Sequence, residues 1–413
     1  MGCVIAHPAR LVQALGSLPQ LPRVVVGGNG ATPWTLLRLV DEQLPAYRLC
    51  MLNAQVGIPA RAGVIHETPF VGPGMRRSRT LSYLPARLSM VPRLFTTTLP
   101  PDLVCVSVAP ARDGMWSLGP EVNVLPAAIE ACRARGGLVA VQVNSHLPWT
   151  YGDGLLGPDD VDLVLEADEA LVHAPHPAPD DASARIGELV AARVPDGATL
   201  QLGIGLVPDA TVAALTRRRG LAIWSEMFSD GVLALDRVGA LDPDVAITSS
   251  FIIGSPELYR WVDGNQRVQV LRTERVNAPG QISTQRSMTS INTALQVDLF
   301  GQANASRINA RIHSGFGGQT DFTVGALHSP GGQALMALRS WHPRADRSSI
   351  VAMVDEPVTS FQHTAVVTEQ GVAELAGRDE RAQAAALIDC AAHPDVRDEL
   401  WEEATALGLR DAS

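Results

Sequence analysis

An α/β fold made of two related halves with mostly parallel sheets is the architecture this sequence predicts. Three observations carry it. Short apolar runs of strand length alternate with helical patterns along the chain, the rhythm of α/β layers. Two of the runs end in the same kind of turn: Val24-Val-Val-Gly-Gly-Asn-Gly-Ala-Thr-Pro33 and Leu200-Gln-Leu-Gly-Ile-Gly-Leu-Val-Pro208 share strand, Gly-x-Gly-x-x-Pro and helical pattern at a constant offset of 175 residues. Finally, 413 residues of which 46% are hydrophobic, dispersed in short runs, suffice for two or three buried cores.

In chain order, the strand-like runs are Arg23 to Val26, Tyr47 to Leu52, Leu103 to Val108, Gly137 to Val143 and Leu163 to Glu166. The stretch His173 to Ala184, rich in Pro, Ala and Asp, then reads as a linker, and Ala184 to Arg193 as a helix. The expected domains are therefore 1–180 and 181–413. The second half continues with Thr199 to Leu202, Leu221 to Ser225, Val245 to Ile253, Arg267 to Leu271, Ala334 to Leu338 and Ser349 to Met353. Pro208 suits the first turn of a helix after the second glycine turn. Alternation around Leu295, Val297 and Leu299 adds a strand whose other face carries Asn292, Gln296, Asp298 and Gln302. Those groups form either a buried hydrogen-bond network or a substrate contact.

Composition removes several classes of function. A formal charge of -10 argues against general nucleic-acid or membrane-surface binding, which select basic faces. No run approaches the roughly 20 apolar residues of a membrane span. The first ten residues, Met1 to Arg10, lack a basic segment followed by a long apolar core, so the expected location is the cytoplasm. The five cysteines (Cys3, Cys50, Cys105, Cys132, Cys390) are scattered without a Cys-x-x-Cys pair. The sequence contains no lysine, which excludes lysine Schiff bases and a Walker-type lysine and leaves arginine to meet phosphates. Neither glycine turn has the dinucleotide spacing. Gly-x-Ser-x-Gly and His-Glu-x-x-His are absent, and the histidines lack metal-ligand spacing, so no metal is expected.

Two places remain for chemistry. Glu226 ends the apolar run from Leu221, just before the break at Asp230-Gly231, where α/β enzymes place reactive groups at strand carboxyl ends. At the 175-residue offset its place is taken by Met51. In His313-Ser-Gly-Phe-Gly-Gly-Gln-Thr-Asp-Phe322, Gly315, Gly317 and Gly318 would let backbone N–H groups approach a ligand or developing negative charge, or they simply punctuate a loop.

The ordered set of motifs resembles the acetyl-CoA hydrolase/transferase family, which includes 4-hydroxybutyrate, butyrate and succinate:acetate CoA-transferases. The resemblance runs through Val108-Ala-Pro, Ser117-Leu-Gly119, Gln142-Val-Asn144, Gln201-Leu-Gly-Ile-Gly205, Ser225-Glu-Met-Phe-Ser-Asp-Gly231, Gln296-Val-Asp-Leu299, Gly317-Gly-Gln-Thr-Asp-Phe322, Val367-Thr-Glu-Gln-Gly-Val-Ala373 and Ala392-His-Pro-Asp395. It implies two NagB/RpiA-like domains, a homodimer, and transfer of CoA between an acyl-CoA and a small carboxylic acid. Glu226 is then the nucleophile, passing through an acyl-glutamyl anhydride and a glutamyl-CoA thioester. The same resemblance gives Gly317 and Gly318 the oxyanion and assigns Gly203, Gly205, Met227, Asn292, Gln296, Gly315 and Ser340 to coenzyme A, which is substrate and product rather than a resident cofactor. An acyl-CoA hydrolase using the same glutamate is the alternative, and a non-catalytic CoA-binding protein or assembly subunit a third reading. The chain departs from the family at Ser340-Trp-His342, at the bulky Trp149 and Tyr151, and at Gln296, where some branches carry glutamate. These departures bear on substrate identity.

Overall fold

The computed structural model describes residues 8–173, 178–360 and 362–410. Cys3, most of the N-terminal segment Met1 to Arg10, and positions 174–177 of the expected linker lie outside the described residues. The chain forms two compact units. The first comprises described residues 8–173 with 246–277 and 313–317; the second comprises 178–245, 278–312 and 318 onward. Two later segments, 246–277 and 313–317, return to the first unit.

In the first unit, β1 (Arg23–Val26), β2 (Tyr47–Cys50), β3 (Val64–Thr68), β4 (Leu81–Tyr83), β5 (Leu103–Arg112), β6 (Leu138–Val143) and β7 (Leu163–Glu166) lie in the order β7-β6-β5-β1-β2-β3-β4. These seven pair in parallel, for instance Val24 with Leu49 and with Leu103. Parallel strands covered on both faces need continuous rather than alternating apolar sequence, and Val24 to Val26 and Leu103 to Val106 are accordingly buried throughout. Helix α1 (Trp34–Gln43) joins β1 to β2, buries Leu36, Leu37 and Val40, and makes a β-α-β unit.

The second unit repeats this plan. Its sheet contains β8 (Thr199–Gln201), β9 (Ala222–Phe228), β12 (Thr289–Asn292), β15 (Gln333–Ala337), β17 (Ala365–Thr368) and β18 (Gly371–Glu374), in the order β18-β17-β15-β12-β8-β9. Only the terminal pair β17–β18 is antiparallel. Between them in sequence, β10 (Ile247–Ile252) and β11 (Val268–Val270) pair in parallel within the first unit. A small three-stranded sheet holds β13 (Gln296–Asp298), β14 (Ala303–Asn304) and β16 (Ile350–Val351). Its apolar side, Val297, Leu299 and Ile350, joins a core with Met336, Val366, Leu387 and Leu400. Burying each such side chain contributes about 1.5–3 kcal/mol.

The predicted duplication is visible as topology, since β17-β15-β12-β8-β9 stands in the same order as β7-β6-β5-β1-β2. The register within the repeat is not conserved. Val24 pairs with Leu49, whereas Thr199, its counterpart at the 175 offset, pairs with Ala222. Counted along the strands, Glu226 therefore corresponds to Asn53 rather than to Met51, which is buried beside the end of β2.

Candidate active site

Strands β12, β8 and β9 are neighbours, and their carboxyl ends carry Asn292, the turn Gly203-Ile204-Gly205 and Glu226. Gly205 stands at φ 119°, ψ -179°, a conformation essentially reserved for glycine, and no atom within 4 Å would meet an added Cβ. The backbone conformation, rather than crowding, therefore requires glycine there. Helix α4 (Leu206–Ala214) starts directly from this turn without a side-chain cap, and Ile204 is 46% exposed. The turn is thus exposed backbone at a helix start.

Alternation along β9 sorts its side chains onto two faces. Ile223, Ser225 and Met227 are buried, whereas Ala222, Trp224 and Glu226 are half-buried. Phe228 closes the strand in the core, and α5 (Asp230–Arg237) follows. The carboxylate thus stands on the accessible face, with Met227 and Phe228 packed beneath the backbone that bears it. The Ser225 hydroxyl accepts from the Leu202 N–H at 3.0 Å and lies 2.6 Å from the Met227 carbonyl, to which it donates.

Asn292 belongs to a network. Its side-chain amide donates to Gln201 Oε1 at 3.1 Å and to the Ser290 hydroxyl at 2.8 Å, and Ser290 donates to the same Gln201 oxygen at 2.8 Å. Gln201 opens the motif Gln201-Leu-Gly-Ile-Gly205 but is not among the candidate site residues expected from the sequence. Gln296 pairs with Asn304 and lines a cavity of about 360 Å³ with Arg307, His342, Arg347 and Glu356, all in the second unit. The neighbouring Asp298 is held by three backbone N–H groups, of Phe300, Gln302 and Val354, while burial pushes its carboxyl above the ordinary range. Ser340 is fully buried, its hydroxyl donating to Glu369.

The glycine loop divides at the unit boundary. Gly315 and Gly317 sit with the first unit, where Gly315 bridges Phe70 and an added Cβ would come within 2.5 Å of the Pro69 carbonyl. The Gly317 carbonyl accepts from Leu88 N–H at 3.0 Å. Gly318 opens α6 (Gln319–His328) in the second unit, which packs against β12 and β15. In the first unit, His146 lines a hollow of about 570 Å³ together with Arg112, Tyr259 and Arg260. Trp149 is buried there under the Arg112 guanidinium, 5.2 Å from its ring centre.

A buried carboxylate absent from the sequence-based candidates occupies the glycine turn of the first unit. Glu121 Oε1 accepts from Gly28 N–H at 2.7 Å and from Asn29 N–H at 3.1 Å, with the Asn29 and Asn123 side-chain amides at 3.2 and 3.4 Å. Burial pushes its carboxyl upward, opposed by those N–H groups. Asn53 joins the same cluster by donating to Asn29 Oδ1 at 3.0 Å. Among the described residues no group of three or more His, Cys, Asp or Glu could hold a metal ion, and no helix is long and apolar enough to cross a membrane.

Comparison with known proteins agrees over both units. Residues 63–174 match the acetyl-CoA hydrolase/transferase N-terminal domain and residues 254–404 the corresponding C-terminal domain. The chain is 36% identical to 4-hydroxybutyrate coenzyme A transferase of Clostridium kluyveri over 353 residues, 82% of this chain and 81% of that protein. Among solved structures it resembles RipA from Yersinia pestis, with TM-score 0.91, 26% identity and 98% of each chain covered. It also resembles 4-hydroxybutyrate CoA-transferase from Porphyromonas gingivalis, with TM-score 0.80, 30% identity and the same coverage.

Proposed function

The chain belongs to the acetyl-CoA hydrolase/transferase family of enzymes acting on acyl-CoA, and on that premise we propose that it moves CoA from an acyl-CoA to a free carboxylic acid with Glu226 as covalent nucleophile. The observation that carries the reading is the half-buried Glu226 on the accessible face of β9, one strand from the open turn Gly203-Ile204-Gly205. A carboxylate nucleophile, unlike a serine hydroxyl, needs no general base to remove a proton as it attacks.

The steps balance without a metal or redox partner. The Glu226 carboxylate attacks the thioester carbonyl, the C–S bond breaks, and an acyl-glutamyl anhydride forms as CoA thiolate leaves. The thiolate then attacks the glutamyl carbonyl, expelling the first carboxylate and leaving a glutamyl-CoA thioester. An acceptor carboxylate reverses both steps, and Glu226 emerges as a carboxylate. Each addition creates an oxyanion, for which the backbone N–H groups of Gly317 and Gly318 are the proposed donors; losing one such donor typically costs about a hundredfold to a thousandfold in rate. Gly203, Gly205, Met227, Asn292, Gln296, Gly315 and Ser340 remain the proposed coenzyme A contacts. For Asn292 the network with Gln201 and Ser290 supports a fixed polar edge. For Ser340 the engaged hydroxyl leaves its role indirect, through Glu369.

Hydrolysis is the second reading, favoured by the exposure of Ile204 beside the turn, which would admit water. The test incubates the protein with acyl-CoA alone, adds borohydride, and maps the product by peptide mass spectrometry. A reduced residue at 226 is the expected result. CoA release that never depends on an added carboxylate, without a trapped adduct, selects hydrolysis, and full turnover in Glu226→Ala removes both readings.

A further inference from the structure

The parallel register of β8 with β9, Thr199 with Ala222 and Leu200 with Ile223, places Leu202 opposite Ser225. There the ordinary ladder stops. The Leu202 N–H donates to the Ser225 hydroxyl instead of to a backbone carbonyl, and Leu202 forms an isolated antiparallel bridge with Met227. The chain is therefore locally turned out of the parallel pattern over the residues that flank Glu226. Irregularities of this kind re-aim a side chain and are over-represented beside active sites.

One hydroxyl holds the irregularity together. Ser225 is fully buried, and its oxygen lies 3.0 Å from Leu202 N, 3.1 Å from Leu202 O and 2.6 Å from Met227 O. A hydroxyl has a single proton and two acceptor lone pairs. The short contact identifies Met227 O as the acceptor of that proton, while Leu202 N–H supplies the bond that the oxygen receives. One end of this link is the residue before Gly203, and the other two are the residues on either side of Glu226. Fixing two backbone groups, Leu202 N–H and Met227 O, through one oxygen leaves the turn and the carboxylate little freedom to move independently.

We propose that Ser225 is a positioning residue: its hydroxyl sets the placement of the Glu226 carboxylate against the turn Gly203-Ile204-Gly205. The inference rests on the reading of Glu226 as nucleophile and adds the device that aims it. Attack on a thioester requires reacting atoms about 3–3.5 Å apart and aligned, and a misplacement of about 1 Å can cost on the order of a hundredfold in rate. Removing the hydroxyl frees Leu202 N–H and Met227 O to repair the ladder in a different register, which moves Glu226 while leaving the CoA-binding surface largely intact.

The test compares Ser225→Ala, Ser225→Thr and Ser225→Cys by kcat, KM for acyl-CoA, and the rate of appearance of the borohydride-trapped adduct at residue 226. Ser225→Ala is expected to lose about tenfold to a hundredfold in kcat and in adduct formation, with KM within about twofold. Threonine keeps the oxygen and should restore kcat to within about threefold. Cysteine fills the same space, but its longer bond and weak S–H displace the link, so it should fold and still lose kcat; this keeps the proposal testable if the alanine variant is unstable. Wild-type kcat in folded Ser225→Ala or Ser225→Cys, or a loss confined to KM, overturns it. Absence of any adduct at residue 226 in the unsubstituted enzyme would instead strike the nucleophile reading, so the two failures are distinguishable.

Discussion

The two glycine turns of this protein begin from the same strand–turn–helix frame and end with opposite contents. In the first unit, Gly28 and Asn29 direct their N–H groups at the buried Glu121 carboxyl group, so the turn is filled by one of the protein's own side chains. In the second, Gly203-Ile204-Gly205 is open, and Ile204 is exposed. The strand beside each turn differs in the same sense. Where β9 presents Glu226, the corresponding register position of the first unit is Asn53, tied down by its bond to Asn29. The duplicated frame is closed by a side chain in one copy and exposed in the other, with a half-buried carboxyl group at Glu226 and a fully buried one at Glu121.

Substitution of the two carboxylates should break this symmetry most sharply. Glu226→Gln keeps the shape without the nucleophile and is expected to lose about ten-thousandfold or more in kcat while retaining CoA binding and thermal stability. Glu121→Ala should do the reverse. It leaves the N–H groups of Gly28 and Asn29 buried without an acceptor, so a loss of about 2–4 kcal/mol in denaturant unfolding is expected. An equally stable Glu121→Ala would show that the first turn does not depend on the carboxyl group that fills it.

A smaller effect separates the turns by backbone. Gly205→Ala meets no atom but forces alanine to φ near 119°, an expected cost of about 1–3 kcal/mol confined to the second unit. At Gly28 an added Cβ would lie 1.9 Å from the Leu52 carbonyl, so Gly28→Ala should disturb the first unit by collision instead. Crystal structures of the two variants would distinguish a rotated turn from a displaced Leu52.

The smallest expected effect is on pH dependence. Burial raises the carboxyl of Glu121 above its unfolded value, so the folded state favours its protonated form. Its contribution to stability is therefore greatest below the unfolded carboxyl pKa and declines as pH rises through the folded value. Glu121→Gln removes that titration, and the stability difference between the unsubstituted protein and this variant should shift in favour of Glu121 as pH is lowered. A difference that is flat in pH would contradict the assigned direction.

Much of this frame was legible in the sequence. Arg23–Val26 and Leu163–Glu166 are strands with the predicted bounds: Val24 to Val26 are continuously apolar, as a doubly covered parallel strand must be, whereas Leu163–Glu166 is an edge strand that ends on exposed Glu166. The repeated glycine turn disclosed the duplication for the same local reason. What local pattern cannot carry is the identity of a distant partner. The need for glycine at 315 comes from Pro69 and Phe70, far away in the chain, and Glu121 closes a turn some ninety residues before it. The two-residue slip that matches Glu226 to Asn53 instead of Met51 arises from strand pairing, which a fixed sequence offset does not record. Ser225 opens the motif that contains Glu226, but its bonds to the Leu202 and Met227 backbone are set by strand pairing and leave no local mark in the sequence.

The central claim, that the open copy of the frame carries a carboxylate which is covalently cycled, is tested most directly by heavy oxygen. With an acceptor acid labelled in both carboxylate oxygens, the anhydride route leaves one labelled oxygen in the Glu226 carboxylate at each turnover. Mass spectrometry of the peptide containing residue 226 should therefore show one heavy oxygen after a single turnover, rising toward two as turnovers accumulate, and none in the peptide containing Glu121. Transfer of CoA to the labelled acid with no heavy oxygen in that peptide would contradict the account.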